Sequence, residues 1–289
     1  MEPFRRALVG LTFLTCCLAL VLMCVACATQ HWVEAEPARP MQANQSATTT
    51  TAATSPGSSE STQRYSPSKD SPEPYRGIVN LGLFEGAKIL NPGFGSRKST
   101  VYIVCTGSVC MWSKHEDPTL RQDEIQQELN RTRHNEDKPP DQCDGFFSFG
   151  MWASSIAFLA GAAFFGLLGA IFAAVNTTTV PVGRLPGILG LFLWNGTAGI
   201  FTVISIVLWA SLYHSDFKCN VMTPEEMRSD WTSRDLATFG YSFWILLAPL
   251  LLFALNVLLL YATTHESGRQ KRTNVVVNEK PADGIIMLY

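Results

Sequence analysis

Long stretches of this chain lack charge altogether. Asp, Glu, Lys and Arg are absent from 145–183 and from 185–215, leaving Arg184 as the single charge between Asp144 and Asp216. Residues 7–28 and 236–264 are charge-free as well. Each run reaches the ~20 residues that cross a ~30 Å hydrocarbon layer as a helix. Inside a bilayer the backbone must satisfy its own hydrogen bonds, and an uncharged segment does so by becoming helical. Two core helices of a soluble protein would each need a polar face, and neither central run has one.

Other absences bear on function. There is no Gly-rich phosphate loop, no Gly-x-Ser-x-Gly elbow and no His-Glu-x-x-His. The histidines His31, His115, His134, His214 and His265 are scattered, so none pairs at metal-ligand spacing. Spans without ionisable groups do not suit a proton or ion relay. A net charge of −2 offers no basic surface for nucleic acid. The chain is expected to be no enzyme, with no cofactor, no metal and no nucleic acid partner.

What is present reads as a four-span hairpin pair in the lipid bilayer. The expected plan is a cytosolic N-terminus at 1–6, spans at 7–28, 146–175, 185–213 and 239–264, and a cytosolic tail at 265–289. Outside lie a first loop at 29–145 and a second at 214–238, with a short cytosolic loop at 176–184. Arg5, Arg6, Arg184, Arg269, Lys271 and Arg272 then share one face of the membrane. Lys/Arg bias of that kind places both termini in the cytosol. The first run has a competing reading as a signal peptide, with Arg5 and Arg6 ahead of it and Ala26-Cys27-Ala28 as a small-x-small cleavage site. Its apolar core, about 33 Å long as a helix, is long for that role. Trp32 also falls where an interfacial aromatic belongs.

Residues 35–74 are rich in Pro, Ser, Thr, Ala and Gln and are expected to be disordered, because they cannot bury enough apolar surface to offset chain entropy. Such a segment suits O-glycosylation or serves as a bare linker. From Ser99 to Trp112 the chain is β-branched and aromatic, with Thr-Gly-Ser between Cys105 and Cys110. That predicts a small antiparallel sheet, followed by a short helix with loops over 116–144. Asn44 and Asn130 open Asn-x-Ser/Thr sequons in the exported loop and are the expected glycosylation sites. Cys105, Cys110, Cys143 and Cys219 lie on the oxidising side and allow two disulfides in three connectivities, with Cys105–Cys110 closing a hairpin. The expected fold class is therefore an all-α transmembrane four-helix bundle with a small extracellular β-sheet in the first loop.

Ala162-x-x-x-Gly166 and Gly166-x-x-x-Ala170 form a small-residue face on the second span, suited to close helix packing within the bundle or at a dimer seam. Asn195 and Asn256 are intramembrane amides expected to bond across helices. The C-terminus, Met287-Leu288-Tyr289, has the alternating apolar pattern and free carboxylate of a PDZ-binding tail. Insertion of 285–289 into the inner leaflet is the competing reading.

The order of short motifs carries a resemblance. Trp32, then Gly82-Leu83-Phe84, then Cys105 and Cys110 resembles the first loop of claudin-like tetraspan proteins. Phe84 replaces the second claudin tryptophan, and in this the chain is similar to the clarins. Gly187-Ile-Leu-Gly-Leu-Phe192 opening the third span, Ser242-Phe243-Trp244 opening the fourth, and an apolar residue before a terminal Tyr extend the likeness. Residues 35–74 fall outside it. The resemblance implies an organiser linking the plasma membrane, channel complexes and the actin cytoskeleton in sensory or synaptic cells. Its implied partners are channel subunits, actin-linked proteins and a PDZ scaffold. An auxiliary subunit of an ion channel, or a claudin-type junction or barrier protein, shares the same architecture.

Overall fold

The computed structural model describes residues 3–39, 75–93, 95–134, 143–178 and 187–278. Its membrane part contains α1 (Pro3–Ala28), α3 (Phe149–Thr178), α4 (Ile188–Leu212) and α7 (Leu247–Asn278), with α2 (Pro118–His134) in the first loop. Four segments, Arg6–Ala28, Phe149–Thr178, Ile188–Phe217 and Tyr241–His265, are long and apolar enough to cross a membrane. The chain has the make-up of a multi-pass membrane protein. Leu14, Leu18, Leu251 and Leu258 stand exposed on these helices, the outward apolar surface that a lipid solvent accepts. The fourth segment is broken at Leu246 between α6 (Tyr241–Ile245) and α7. Pro249 causes this, having no N–H to donate to the carbonyl of Ile245.

The small face of α3 points inward. Ala162 and Ala170 are buried. A Cβ added to Gly166 would meet Phe253 Cζ at 3.0 Å and Leu20 Cδ2 at 3.4 Å, so this glycine lets α1 and α7 close on α3.

The loops do not fit the all-α expectation. They build one antiparallel sheet from eight strands: β1 (Val33–Ala35), β2 (Ala38–Arg39), β3 (Tyr75–Leu81), β4 (Glu85–Leu90), β5 (Arg97–Thr106), β6 (Val109–Ser113), β7 (Phe146–Ser148) and β8 (Ala237–Phe239). The spatial order is β7-β6-β5-β4-β3-β1-β8, with β2 also on β3. This is an α+β protein rather than an all-α bundle with a small first-loop sheet. β7 occupies residues assigned to the start of the second span, and β8 comes from the second loop. The linker expectation over 35–74 also changes at its start, since Ala35, Ala38 and Arg39 lie in strands; residues 40–74 lie outside the described residues.

Strand register ties the sheet to the bundle. Val33, just after α1, pairs with Leu81 on one side and Phe239 on the other. β7 runs directly into α3, and β8 is followed by α6. Along β3, Val79 and Leu81 face inward while Ile78 is exposed, the two-residue alternation of a half-buried strand. That inner face shares a core with Trp32, Trp112, Phe147, Phe217 and Trp231.

Candidate functional site

Three of the motif residues converge where the sheet meets the bundle. Trp32, four residues past the end of α1, is 1% exposed beneath the sheet. Its Nε1 donates to the Ala26 carbonyl at 2.8 Å, satisfying an orphan acceptor at the end of α1. Its backbone N–H donates to Leu81 at 2.8 Å, and its ring lies edge-on to Trp209 at 4.9 Å. A Cβ on Gly82 would sit 2.8 Å from the Glu85 carbonyl and 3.1 Å from Gln30 Cα, so only glycine fits between this turn and the end of α1. Leu83 is buried, and its carbonyl accepts from Trp152 Nε1 at 2.9 Å, joining the turn to α3. Phe84 alone points out, 53% exposed.

A second junction welds the two loops together. Lys88 on β4 is fully buried, and its Nζ lies 2.9 Å from Glu226 Oε2 and 3.2 Å from the Val221 carbonyl. Glu226 sits in α5 (Pro224–Arg228), where it completes a capping box with Thr223. Lys114 adds a second ammonium at 3.0 Å from Glu226 Oε1. Burial alone would raise the Glu226 carboxyl, but Lys88, Lys114 and the Thr223 N–H hold it down at about 2. Burial lowers the Lys88 ammonium, and Glu226 opposes that pull. Nearby, Arg228 of α5 forks onto Glu128 of α2 at 2.7 and 2.9 Å. Tyr213, in a π-type turn (Tyr213–Phe217) ending α4, donates to the Ala237 carbonyl of β8 at 2.6 Å.

All four loop cysteines are paired. Cys105–Cys110 closes the β5–β6 hairpin with Cα atoms 4.0 Å apart. Cys143–Cys219 joins the first loop to the second with Cα atoms 5.9 Å apart. Asn130 stands exposed on α2. Asn44, Arg184 and the tail residues Met287, Leu288 and Tyr289 lie outside the described residues.

Within the spans, Asn195 and Asn256 meet. Asn256 Nδ2 donates to Asn195 Oδ1 at 2.9 Å and to Cys16 Sγ at 3.2 Å, and Cys16 donates to Asn195 Oδ1 at 3.2 Å. Thr15 bonds Asn256 Oδ1 through its hydroxyl. A Cβ on Gly169 would approach Asn195 Nδ2 at 3.2 Å, so α3 presses on the same cluster. The clasp thus joins α1, α4 and α7 with α3 against it. Outside it, Gly196, Gly199 and Ile200 of α4 and Phe253, Ala254 and Val257 of α7 border an apolar groove of about 520 Å³. Among the described residues, no group of three His, Cys, Asp or Glu is placed to hold a metal ion.

Sequence reasoning missed Lys88, Glu226, Cys16 and Thr15. Lys88 carries no local mark, since a lysine in a strand normally faces water. The small size of Cys16 and Thr15 beside an Asn-bearing bundle was the available hint.

No family model matches the chain. It is 25% identical to Clarin-3 of Mus musculus over 121 residues, which is 42% of this chain and 54% of the mouse protein. It is 26% identical to Clarin-3 of Rattus norvegicus over 81 residues, 28% of this chain and 36% of the rat protein. This is a distant, clarin-like relationship. The chain spans about half the length of the mouse relative it matches and about a third of the rat one.

Proposed function

We propose that this chain is a non-enzymatic, clarin-like organiser of the plasma membrane. It holds channel complexes or actin-linked proteins beside it and carries both termini in the cytosol. The observation that supports this reading is the weld of both loops into one sheet, braced by Cys143–Cys219 and by Lys88–Glu226. A braced outer domain on a clasped bundle is a platform, rigid enough to hold a partner in a set orientation. Its disulfides suit the oxidising side of a membrane, which supports a reading with the outer domain outside and the tail inside. Crosslinking in native membranes followed by mass spectrometry tests the proposal. Recovery of scaffold and actin-linked proteins supports it, whereas recovery of junction proteins alone overturns it.

The tail belongs to the same proposal. A peptide of the last 15 residues is expected to bind a PDZ domain as the free acid and to lose most of that affinity when amidated. Equal binding by both forms removes the docking role.

An auxiliary subunit of an ion channel is the second reading, and the groove between α4 and α7 favours it. Gly196 has nothing within 4 Å of an added Cβ, so a helix of another protein could approach the backbone there. Co-purification of pore subunits that is lost on Gly196→Leu supports this reading.

A further inference from the structure

At the membrane-distal end of the sheet, a cleft of about 480 Å³ lies between the two loops. The register gives its position. Val33 pairs with Leu81 beside the end of α1, and the chain then runs extended to Arg39. At about 3.3 Å per residue this places Arg39 up to about 20 Å farther out along the strands. Leu90 and Arg97 pair at that same far end. The cleft therefore stands away from the headgroups of its own bilayer.

Its walls are amphipathic. Arg39, Arg97, Lys98 and Lys114 supply positive charge, and Leu90, Pro92 and Trp231 supply an apolar side. Glu226 also lines it but is neutralised from below by buried Lys88. Glu225 stands on the lip, 3.8 Å from Lys114. Arg39, Arg97 and Lys98 have no carboxylate partner among the described residues. Two guanidinium groups in one cleft are suited to fork onto carboxylates. The volume falls within the ~300–1,000 Å³ of sites that enclose a ligand.

We propose that this cleft binds an acidic peptide segment of a partner protein, with carboxylates on Arg39, Arg97 and Lys98 and an apolar side chain against Leu90 and Pro92. Glu225 decides between peptide and sulfated glycan. A uniformly anionic polymer meets repulsion at the lip, whereas a peptide places its carboxylates on the basic side only. The apolar wall likewise has a use for a leucine and none for a sulfate.

The full-length protein in nanodiscs is titrated with three fluorescent probes: a hexapeptide alternating Glu and Leu, its Lys-Leu counterpart and a heparin hexasaccharide. The Glu-Leu peptide is expected to bind, with affinity falling as salt rises. Arg97→Glu with Lys98→Glu, both exposed and outside any ion pair among the described residues, should weaken it roughly tenfold or more. Arg97→Lys with Lys98→Arg should retain most of it. Formation of the Cys143–Cys219 disulfide reports that each variant has folded. Undiminished binding by the Arg97→Glu, Lys98→Glu protein overturns the proposal. So does binding of the hexasaccharide with none of the peptide, or binding of neither.

Discussion

Replacing Glu226 by Gln isolates the electrostatic part of the weld between the loops. A glutamine oxygen can still accept from the Thr223 N–H, which Glu226 now holds at 2.9 Å, so the cap survives. What is lost is the only anion touching Lys88 among the described residues, and the Lys88 side chain is 0% exposed. An ammonium left buried against the Val221 carbonyl and a neutral amide is an uncompensated charge, and removing one partner of such a pair costs about 3–5 kcal/mol. Lys114 matters less, being one-third exposed and screened by water. The assay is hydrogen exchange of amides in β4 and α5 in nanodiscs. A loss of about 3 kcal/mol appears there as roughly 150-fold faster opening. Lys88→Met combined with Glu226→Gln removes both charges and should recover most of that protection. Protection that changes less than tenfold in Glu226→Gln, or a double variant no better than the single, refutes a stabilising Lys88–Glu226 pair. The pH dependence has a defined sign. Glu226 is held at about 2 against an ordinary 4.5, so between those values the unfolded state binds more protons. Its stabilisation is complete above about pH 4.5 and drains away as pH falls toward 2. Glu226→Gln should lose that segment of the acid profile.

Reduction of the disulfides should act unequally. Cys143–Cys219 closes a loop with a separation of 76 residues, worth about 4.5 kcal/mol by loop-closure entropy, whereas Cys105–Cys110 spans 5 and mainly holds hairpin register. Cys143→Ser with Cys219→Ser should therefore lower the thermal midpoint of the outer domain more than Cys105→Ser with Cys110→Ser, measured by scanning fluorimetry. Asn256→Leu removes the donor shared by Asn195 and Cys16 and should destabilise the bundle by about 1–2 kcal/mol in detergent unfolding, while Leu258→Ala, at an exposed position on the same helix, should do little. N-glycosidase treatment should lower the apparent mass, and Asn44→Gln with Asn130→Gln should abolish the shift; an unglycosylated protein from the cell surface would count against the outward placement of α2.

Four segments long and apolar enough to cross a membrane were legible in the residues alone. Membrane crossing is a local property: a charge-free run satisfies its own backbone bonds wherever it sits, and 145–183 announces this without reference to any neighbour. The Thr-Gly-Ser turn between Cys105 and Cys110 was legible for the same reason, being a contact across a few residues. The sheet as a whole was not legible, because its strands pair across distant parts of the chain. β1, β2, β7 and β8 are two or three residues long, too short to show alternation, and exist because a partner strand stands beside them. Val33 pairs with Phe239 from the other loop, a contact between segments far apart in the chain that no local pattern announces. The same holds for buried Lys88, whose charge is tolerable solely because Glu226 arrives from the other loop, and for the Cys143–Cys219 pairing, one of three that the four cysteines allowed.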